Sequence, residues 1–417
     1  MKKAFFTLFL VSFLLTGVLA ENSWEIFYWN NQLNPGINVQ NHIQVGPDGM
    51  LYLVEQDLTE IYETGKYLRV RLYDPGQWTG DNFGTDGWQQ LGQVMTLHLP
   101  NNESHIDFAI TPDNKLYIGM QDSILWYNHT DDLWESYFVE NYIGGMTTDA
   151  AGDLLILQSV TENGNHRFDI SKFESGSLIP VTSIEYELDW GVIIYPRTLN
   201  EANRIIVHED TYYVSVAQAS THQNFYFIGN PDEGFTVLKE HFTHLNLSSM
   251  VVSPQGDLII SYRGGASPYP LEIKKYDFDL DEWVPFDDTG LNTGFAHANQ
   301  LMYDNLGHLH LTSHGEADQG FVFRYGQDGW EHLGPQNSLS LANMPQITFD
   351  SANRLYFAHG IGAMTTPLII RRLADETAGL SMKTITLDFD MSPNPAQNVL
   401  YISVAEPNTW IIITDAM

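Results

Sequence analysis

Three histidines with the potential for chemistry stand close together in the segment HLHLTSH. His308 and His310 are two residues apart, and His314 follows them. Because side chains alternate along a strand, a strand here puts His308 and His310 on one face. Paired imidazoles can bind a metal ion, or one of them can act as a general base. The spacing fixes no third metal ligand, so the sequence favours the alternative, packing between sheets.

Four carboxylates are concentrated in the segment YDFDLDEW. Asp277, Asp279 and Asp281 are two residues apart, and Glu282 follows the last of them. On a strand the three aspartates share a face, and clustered carboxylates are typical ligands of Ca²⁺. The segment lacks the glycine and the distal glutamate of an EF-hand loop. It therefore predicts a weak calcium site, and the favoured alternative is a solvated hairpin turn.

Tyr262 and Arg263 precede the glycine pair of the segment SYRGGAS. An arginine can bind a uronate carboxylate through two parallel hydrogen bonds, and a tyrosine can transfer a proton. Together with a histidine of the 308–314 segment, they form a candidate catalytic set. The alternative is structural and is favoured: Tyr262 ends a strand, and Arg263 is one partner of a surface ion pair.

Composition excludes several classes of function. The chain has 19 Lys and Arg against 52 Asp and Glu, a formal net charge of −33, and contains no cysteine. Nucleic acids and anionic lipid surfaces need basic residues to neutralise phosphate, so neither is an expected partner. Thiol chemistry is excluded as well. The sequence also contains no phosphate-binding glycine loop and no nucleophile elbow.

The N-terminal residues 1–20 are predicted to be a secretory signal peptide. Lys2 and Lys3 precede an apolar run from Ala4 to Leu15, and small residues end at Ala20. No other stretch is long and apolar enough to span a bilayer. We therefore expect an exported chain without a membrane span, stabilised by its core and not by disulfides.

A turn followed by a short, alternating apolar strand recurs along the chain, as in SPQGDLIISY from Ser253. Glycine or asparagine occupies the turn position that needs a positive φ angle. These turn residues are Gly49, Asn114, Gly152, Gly256, Gly307 and Asn353, with a weaker member near Asp210. Their mean spacing of roughly 51 residues is typical of propeller-type repeats.

A second pattern lies between these turns. An aromatic residue ends one strand, a polar turn follows, and a tryptophan opens the next strand. The pairs are Tyr73 and Trp88, Tyr127 and Trp134, Tyr276 and Trp283, and Tyr325 and Trp330. Each repeat therefore holds two hairpins, or four strands. Since one four-stranded sheet cannot bury both faces alone, the sheets are expected to pack radially.

The repeats resemble blades of the β-propeller superfamily, of the kelch and two-component-regulator kind. The resemblance implies an all-β fold of about seven four-stranded blades over residues 21–380, and the segment NSWEIFYW is a candidate for the outer strand that closes the ring. Residues 256–311 also resemble, locally, the sialidase-repeat propellers that include ulvan-type polysaccharide lyases. Those enzymes cleave by β-elimination with histidine, tyrosine and arginine, which are the residue types of the set proposed above.

Residues 381–417 have a different character. The segment SPNPA from Ser392 and the strand around Leu400 to Ile402, with the final IIITDAM, resemble the C-terminal sorting domain of type IX secretion. The family pattern continues further than Met417, so this region is predicted to be a truncated domain, the start of a small β-sandwich. The resemblance implies contact with the secretion machinery and a secreted or cell-surface location in a Gram-negative bacterium.

Fold and destination together predict a binding module for an extracellular glycan or protein ligand. The alternative is a polysaccharide lyase or another glycan-active enzyme. The sequence leaves open which of the two is right.

Overall fold

The structure, a computed structural model of the 417-residue chain, divides into two units, Met1–Ala374 and Asp375–Met417. It describes residues 24–30, 40–57, 66–77, 87–97, 106–120, 122–162, 165–185, 204–218, 223–238, 247–263, 271–291, 295–315, 320–334, 346–360 and 368–373. All of these belong to the first unit. The predicted signal peptide and the predicted sorting module lie outside the described residues.

Seven antiparallel sheets follow one another along the chain, and each forms one blade. Blade 1 contains β2 (Gln40–Val45), β3 (Leu51–Asp57) and β4 (Lys66–Tyr73), with β5 (Gln89–Gln90) and β6 (Met95–Leu97) both paired to β4. A 3-10 turn, Pro75–Gln77, follows β4. Blade 2 contains β7 (Ile106–Ile110), β8 (Leu116–Met120), β9 (Ser123–Asn128) and β10 (Leu133–Phe138). Blade 3 contains β11 (Tyr142–Thr148), β12 (Leu154–Glu162), β13 (Asn165–Glu174) and β14 (Ser177–Glu185).

The remaining blades repeat this order. Blade 4 contains β15 (Arg204–His208), β16 (Thr211–Gln218), β17 (Gln223–Asn230) and β18 (Gly234–Val237). Blade 5 contains β19 (Leu247–Val252), β20 (Leu258–Arg263), β21 (Leu271–Asp277) and β22 (Glu282–Pro285). Blade 6 contains β23 (Phe295–Tyr303), β24 (Leu309–Gly315), β25 (Gly320–Gly326) and β26 (Gly329–Gly334). Blade 7 contains β27 (Gln346–Phe349), β28 (Leu355–Gly360) and β29 (Leu368–Leu373).

The fourth strand of blade 7 comes from the other end of the described chain. Strand β1 (Trp24–Asn30) pairs antiparallel with β29, from Trp24 opposite Leu373 to Asn30 opposite Leu368. The N-terminal strand thus completes the last blade, as its sequence predicted. The prediction of about seven four-stranded blades is also confirmed.

Both faces of every blade are covered by a neighbouring blade. Seven clusters of buried apolar side chains fill the seven gaps between consecutive blades, including the gap between blades 7 and 1. Alternation along one strand supplies two clusters at once: Ile260 is fully buried against blade 4, and Ile259 is 2% exposed against blade 6. Radial packing therefore supplies the burial that a single sheet lacks.

The tyrosine and tryptophan pairs reinforce this packing near the outer strands. Trp134 lies 5.4 Å from the ring of Tyr127 and donates its indole N–H to the Leu91 oxygen of blade 1 at 3.1 Å. Trp330 makes the equivalent bond to the Asp287 oxygen of blade 5 at 2.8 Å. Gly290 allows this approach, because a Cβ atom there would stand 2.2 Å from the Trp330 oxygen.

A buried ion cluster lies where the ring closes between blades 1 and 7. Glu55 accepts hydrogen bonds from Arg69 at 2.7 Å and from Arg71 at 2.8 Å, and its side chain is 1% exposed. Burial alone would raise the pKa of Glu55. The two guanidinium charges and their hydrogen bonds outweigh burial and hold that pKa below its usual value.

Replacing Glu55 tests whether this ion cluster stabilises the fold. We expect Glu55→Gln to lower the free energy of unfolding by about 3–5 kcal/mol, because two partly buried arginines lose their counter-charge. The contribution of Glu55 to the free energy of unfolding is present above the pKa that Glu55 has in the unfolded chain. It is lost as the pH falls through the lower pKa that Glu55 has in the folded protein. The control is Glu331→Gln, which breaks the more exposed pair with Arg324 and should cost below about 1 kcal/mol. Equal urea midpoints for the two variants would contradict the account.

Candidate functional site

The meander gives the ring two different faces. The repeated turns between first and second strands, such as the turn at Gly256, lie on one face with the hairpins between third and fourth strands. We call this the turn face. The opposite face, where second strands end at residues such as Arg263 and Gly315, carries the connections between second and third strands and between blades. We call this the loop face.

Buried polar side chains occur near both faces of the ring, and those of the turn face, such as Ser253 and Asp304, bond within their own turns. A second group lies in the half of the blades next to the loop face. They sit in the loop-face halves of second strands, or at the start of a third strand. These residues are Glu55, Gln158, Ser215, Asn224, Ser261, Thr312 and Ser313, each at most 5% exposed. The turn-facing parts of the same strands carry large apolar residues such as Leu51 and Leu258. Convergent polar groups in a concave site are the usual mark of a binding site, so the loop face is the candidate.

One residue of each innermost strand stands at the same register in all seven blades. The first strands of consecutive blades lie side by side around the axis. The aligned residues are His42, Asp107, Gly145, Arg204, Ser249, Gln300 and Gln346, paired in order with Val54, Gly119, Leu157, Ser215, Ser261, Thr312 and Ala358. We call these seven residues the channel ring.

Four side chains of the channel ring each join one blade to the next. The Asp107 carboxylate accepts a hydrogen bond from the Met146 N–H at 2.6 Å, and Ser249 accepts one from the Leu301 N–H at 2.9 Å. In the same way, Gln300 accepts from the Ile347 N–H at 2.7 Å and Gln346 from the Ile43 N–H at 3.2 Å. These bonds satisfy N–H groups on the free inner edge of the following sheet.

Arg204 is the cation of the channel ring. It is half-buried, and burial lowers the pKa of its guanidinium, while the negative charge of Asp107 acts in the opposite direction. Asp107 itself is held by backbone donors, Met146 N–H at 2.6 Å and Phe108 N–H at 2.9 Å. The ring thus combines a fixed anion, a cation and neutral hydrogen-bonding groups, an arrangement that can orient a polar ligand.

The predicted histidine pair lies at the start of β24, with one member before the strand and one within it. Strand β24 begins at Leu309, and His308 lies in the preceding turn, where its Nδ1 is 3.0 Å from Asp304. His310 is 3% exposed, its ring packs 4.7 Å from the Phe349 ring, and its Nδ1 lies 3.1 Å from the backbone oxygen of His308. Both imidazoles act on the Asp304 carboxylate, and a metal-binding or general-base role for the pair stays a prediction.

Tyr262, Arg263 and the histidines divide between the two faces. Tyr262 is 2% exposed and donates its hydroxyl to Glu272, and burial, reinforced by Glu272, raises its pKa strongly. Arg263 and His314 both lie near the loop-face ends of second strands, in neighbouring blades 5 and 6. His308 and His310 lie at the turn-face end of β24. The structure therefore brings Arg263 and His314 to one face and separates them from the other two histidines.

The four carboxylates of the calcium prediction lie around a hairpin on the turn face. Strand β21 ends at Asp277 and β22 begins at Glu282, so Asp279 and Asp281 are turn residues and do not share a strand face with Asp277. Asp277 accepts hydrogen bonds from two backbone N–H groups of the turn, and Asp281 accepts one from the Tyr276 hydroxyl. Among the described residues, no group of three potential ligands could hold a metal ion. Calcium binding stays a prediction.

Sequence reasoning missed the channel ring, although a signal for it exists. In six blades the ring residue stands seven positions before the turn residue, as Gln300 does before Gly307 and Gln346 before Asn353. Blade 4 has a shorter turn, with the positive φ angle at Glu209, and so departs from this offset. A polar residue seven positions before the turn residue, which five blades have, would have indicated the ring.

No protein-family model matches the chain, and no curated protein matches it. Solved structures do. Virginiamycin B lyase from Staphylococcus aureus is 13% identical with a TM-score of 0.51, over 84% of this chain and 99% of that one. The propeller domain of the Trilobed protease from Pyrococcus furiosus is 11% identical with a TM-score of 0.51, over 82% and 98%. A fungal alcohol oxidase, in complex with copper, is 8% identical with a TM-score of 0.53, over 84% and 76%.

These similarities support the propeller fold and no particular activity, since the identities are low and the three proteins differ in function. The described part of the chain contains no helix with the length and hydrophobicity of a membrane span. The chain is therefore similar to seven-bladed β-propellers in fold, and its function must be argued from its own residues.

His310, near the turn face, gives the stability of the fold a testable pH dependence. Burial lowers its pKa to about 4, against the attraction of the Asp304 carboxylate. A histidine with a lowered pKa stabilises the fold fully above its unfolded pKa of about 6.5, and this contribution is lost as the pH falls toward 4. We expect the group to account for a loss of about 2 kcal/mol between pH 7.5 and 5.

The measurement is the urea midpoint of unfolding at both pH values, for the parent protein and His310→Gln. The variant should lose less stability on acidification than the parent. The control is His129→Gln, which changes an exposed histidine. This variant should lose as much stability on acidification as the parent. Identical losses in all three proteins would show that His310 is not held neutral by burial.

Proposed function

We propose that this protein is an exported β-propeller that binds an extracellular ligand, a glycan or a protein segment, at the loop face. The observation that carries the proposal is the channel ring, whose hydrogen-bonding side chains lie at one register around the axis. Buried serines and threonines such as Ser261 and Thr312 line the same half of the blades. Propellers commonly use such a rigid, loop-bearing face for binding.

The chemistry of the ring supports a polar ligand. Gln346 uses its Oε1 atom to join blade 7 to blade 1, and an amide has two further N–H donors. Asp107 and Arg204 add one charge of each sign. Because planar amide, carboxylate and guanidinium groups can each make two parallel hydrogen bonds, they suit the vicinal hydroxyls of sugars and the polar backbone of a peptide.

Export forms part of the proposal. It rests on the basic and apolar character of residues 1–20, and the tail around Ser392 further suggests sorting by type IX secretion to the surface of a Gram-negative cell. The net charge of −33 excludes nucleic acid as the ligand. An extracellular glycan or protein is therefore the expected partner.

Footprinting of the unmutated protein tests where the ligand binds, so the result does not depend on the folding of a variant. The protein is screened on an array of neutral and acidic glycans and a peptide array, and the best binder is used in hydroxyl-radical footprinting. We expect oxidation of His42, in the channel ring, to fall on binding. Leu306, which is 71% exposed on the turn face, is the control and should react unchanged. Protection of Leu306 with no effect at His42 would contradict the proposal.

A polysaccharide lyase is the second candidate, and one observation favours it. Arg263 and His314 occupy equivalent positions in β20 and β24, seven residues after Gly256 and Gly307. Tyr262 argues against it, because its buried hydroxyl is bonded to Glu272 and its pKa is raised. A base or acid needs a pKa near the working pH.

An absorbance assay for unsaturated uronates, run against a panel of acidic polysaccharides, separates the two candidates. Under the binding proposal we expect no product from any member of the panel. Product formation that is abolished in both Arg263→Met and His314→Gln, with unchanged melting temperatures, would replace the binding proposal by the lyase.

A further inference from the structure

We propose that Arg204 binds a carboxylate group of the ligand, and that the ligand is an acidic glycan containing a uronate. This inference rests on the proposed function and narrows its ligand class. Arg204 belongs to the channel ring, in which the equivalent side chains of four other blades join one blade to the next. Arg204 departs from this pattern because a guanidinium donates hydrogen bonds and cannot accept one.

Arg204 also differs in its partners from five other arginines of the described chain. Arg69, Arg71, Arg167, Arg324 and Arg354 each lie within 2.9 Å of a carboxylate oxygen. Within the described ranges, the guanidinium of Arg204 makes neither a hydrogen bond nor an ion pair. This is unexpected in a chain with 52 acidic residues. The carboxylate that acts on Arg204 through its charge is that of Asp107, in the ring itself.

Asp107 attracts Arg204 only through its charge. Both Asp107 oxygens accept backbone N–H groups, of Met146 and Phe108, and Asp107 is two blades away from Arg204 in the ring. Blade 3 lies between them and contributes Gly145, which has no side chain, at this register. Because a half-buried charge without a contacting partner is unfavourable, its retention indicates an anionic occupant. A carboxylate matches the planar guanidinium through two parallel bonds.

The neighbours of Arg204 favour a glycan over a protein segment. The next ring residues after Arg204 are Ser249, Gln300 and Gln346, which offer hydroxyl and amide groups. None of the seven ring residues is aliphatic, whereas peptide recognition usually needs pockets for apolar side chains. A net charge of −33 opposes long polyanions at a distance. We therefore expect a glycan in which uronates are spaced by neutral sugars.

The experiment uses the full chain and three probes. The first is an oligosaccharide with a single uronate among neutral sugars, the second is the same oligosaccharide with its carboxylate reduced to an alcohol, and the third is an acidic peptide. Calorimetry gives the affinities for the parent, Arg204→Met and the control Arg167→Met. Arg167 is a paired arginine on β13, outside the channel ring.

We expect the parent to bind the uronate probe at least about tenfold more tightly than the reduced probe, as one charge-assisted bidentate contact provides. Arg204→Met should lose that preference, and Arg167→Met should keep it. In the absence of ligand, Arg204→Met should melt at or above the parent temperature, because it removes an unpaired charge. This last readout separates a binding arginine from a structural one.

Each contrary result has its own meaning. Equal affinity of the parent for the uronate and reduced probes would overturn the inference and leave the proposed function standing. Binding of the peptide alone would overturn the glycan assignment. Lower melting of Arg204→Met, with an unchanged preference for the uronate, would make the arginine structural. No binding of any probe, with no hit on the arrays, would count against both the inference and the proposed function.

Discussion

Every blade of this protein has two apolar faces and one free inner edge, and other blades cover both faces in every blade and an inner-edge N–H group in four of them. The faces are covered by the seven apolar clusters, in which one strand such as β20 serves two neighbours. The inner edge is covered by polar side chains of the preceding blade, as Gln300 covers Ile347. Neither requirement can be met by an open arc, because its terminal blades would keep an exposed face. Closure through β1 and β29 is thus what allows the other blades to be stable.

The same constraint explains why polar residues surround the axis. Edge N–H groups need acceptors, so the channel ring is built from residues such as Ser249 and Gln346 that can supply an oxygen. A surface suited to polar ligands therefore arises from a structural requirement. Arg204 is informative because it does not meet that requirement: it occupies the position of an acceptor without being one. This departure is the basis of the proposal that Arg204 binds a carboxylate of the ligand.

Patterns that are local in the chain were predictable. The positive-φ turns and the tyrosine and tryptophan pairs each lie within a short segment, and they were sufficient for the blade count and for the order of strands. The prediction that Asp279 and Asp281 share a strand face with Asp277 was wrong because the strand was extended into a tight turn. One or two residues at a strand end decide whether alternation applies.

Features that depend on several blades were not predictable in the same way. The channel ring joins residues about fifty positions apart, and no segment contains two of its members. In the sequence, Glu55, Arg69 and Arg71 are ordinary charged strand residues. Their burial depends on the packing of blade 7 against blade 1, which no local pattern shows. Local spacing identifies a blade, whereas a site shared by seven blades requires their register.

Amide hydrogen exchange measures the coverage of the inner edge directly. The N–H groups of Ile43, Met146, Leu301 and Ile347, which are bonded to ring side chains of the preceding blade, should exchange slowly. The equivalent N–H groups of Ile205 and Met250 follow blades whose ring residues, Gly145 and Arg204, have no acceptor atom, and should exchange faster. Rapid exchange at all six positions would show that the inner edges are open and that side chains do not join the blades around the axis.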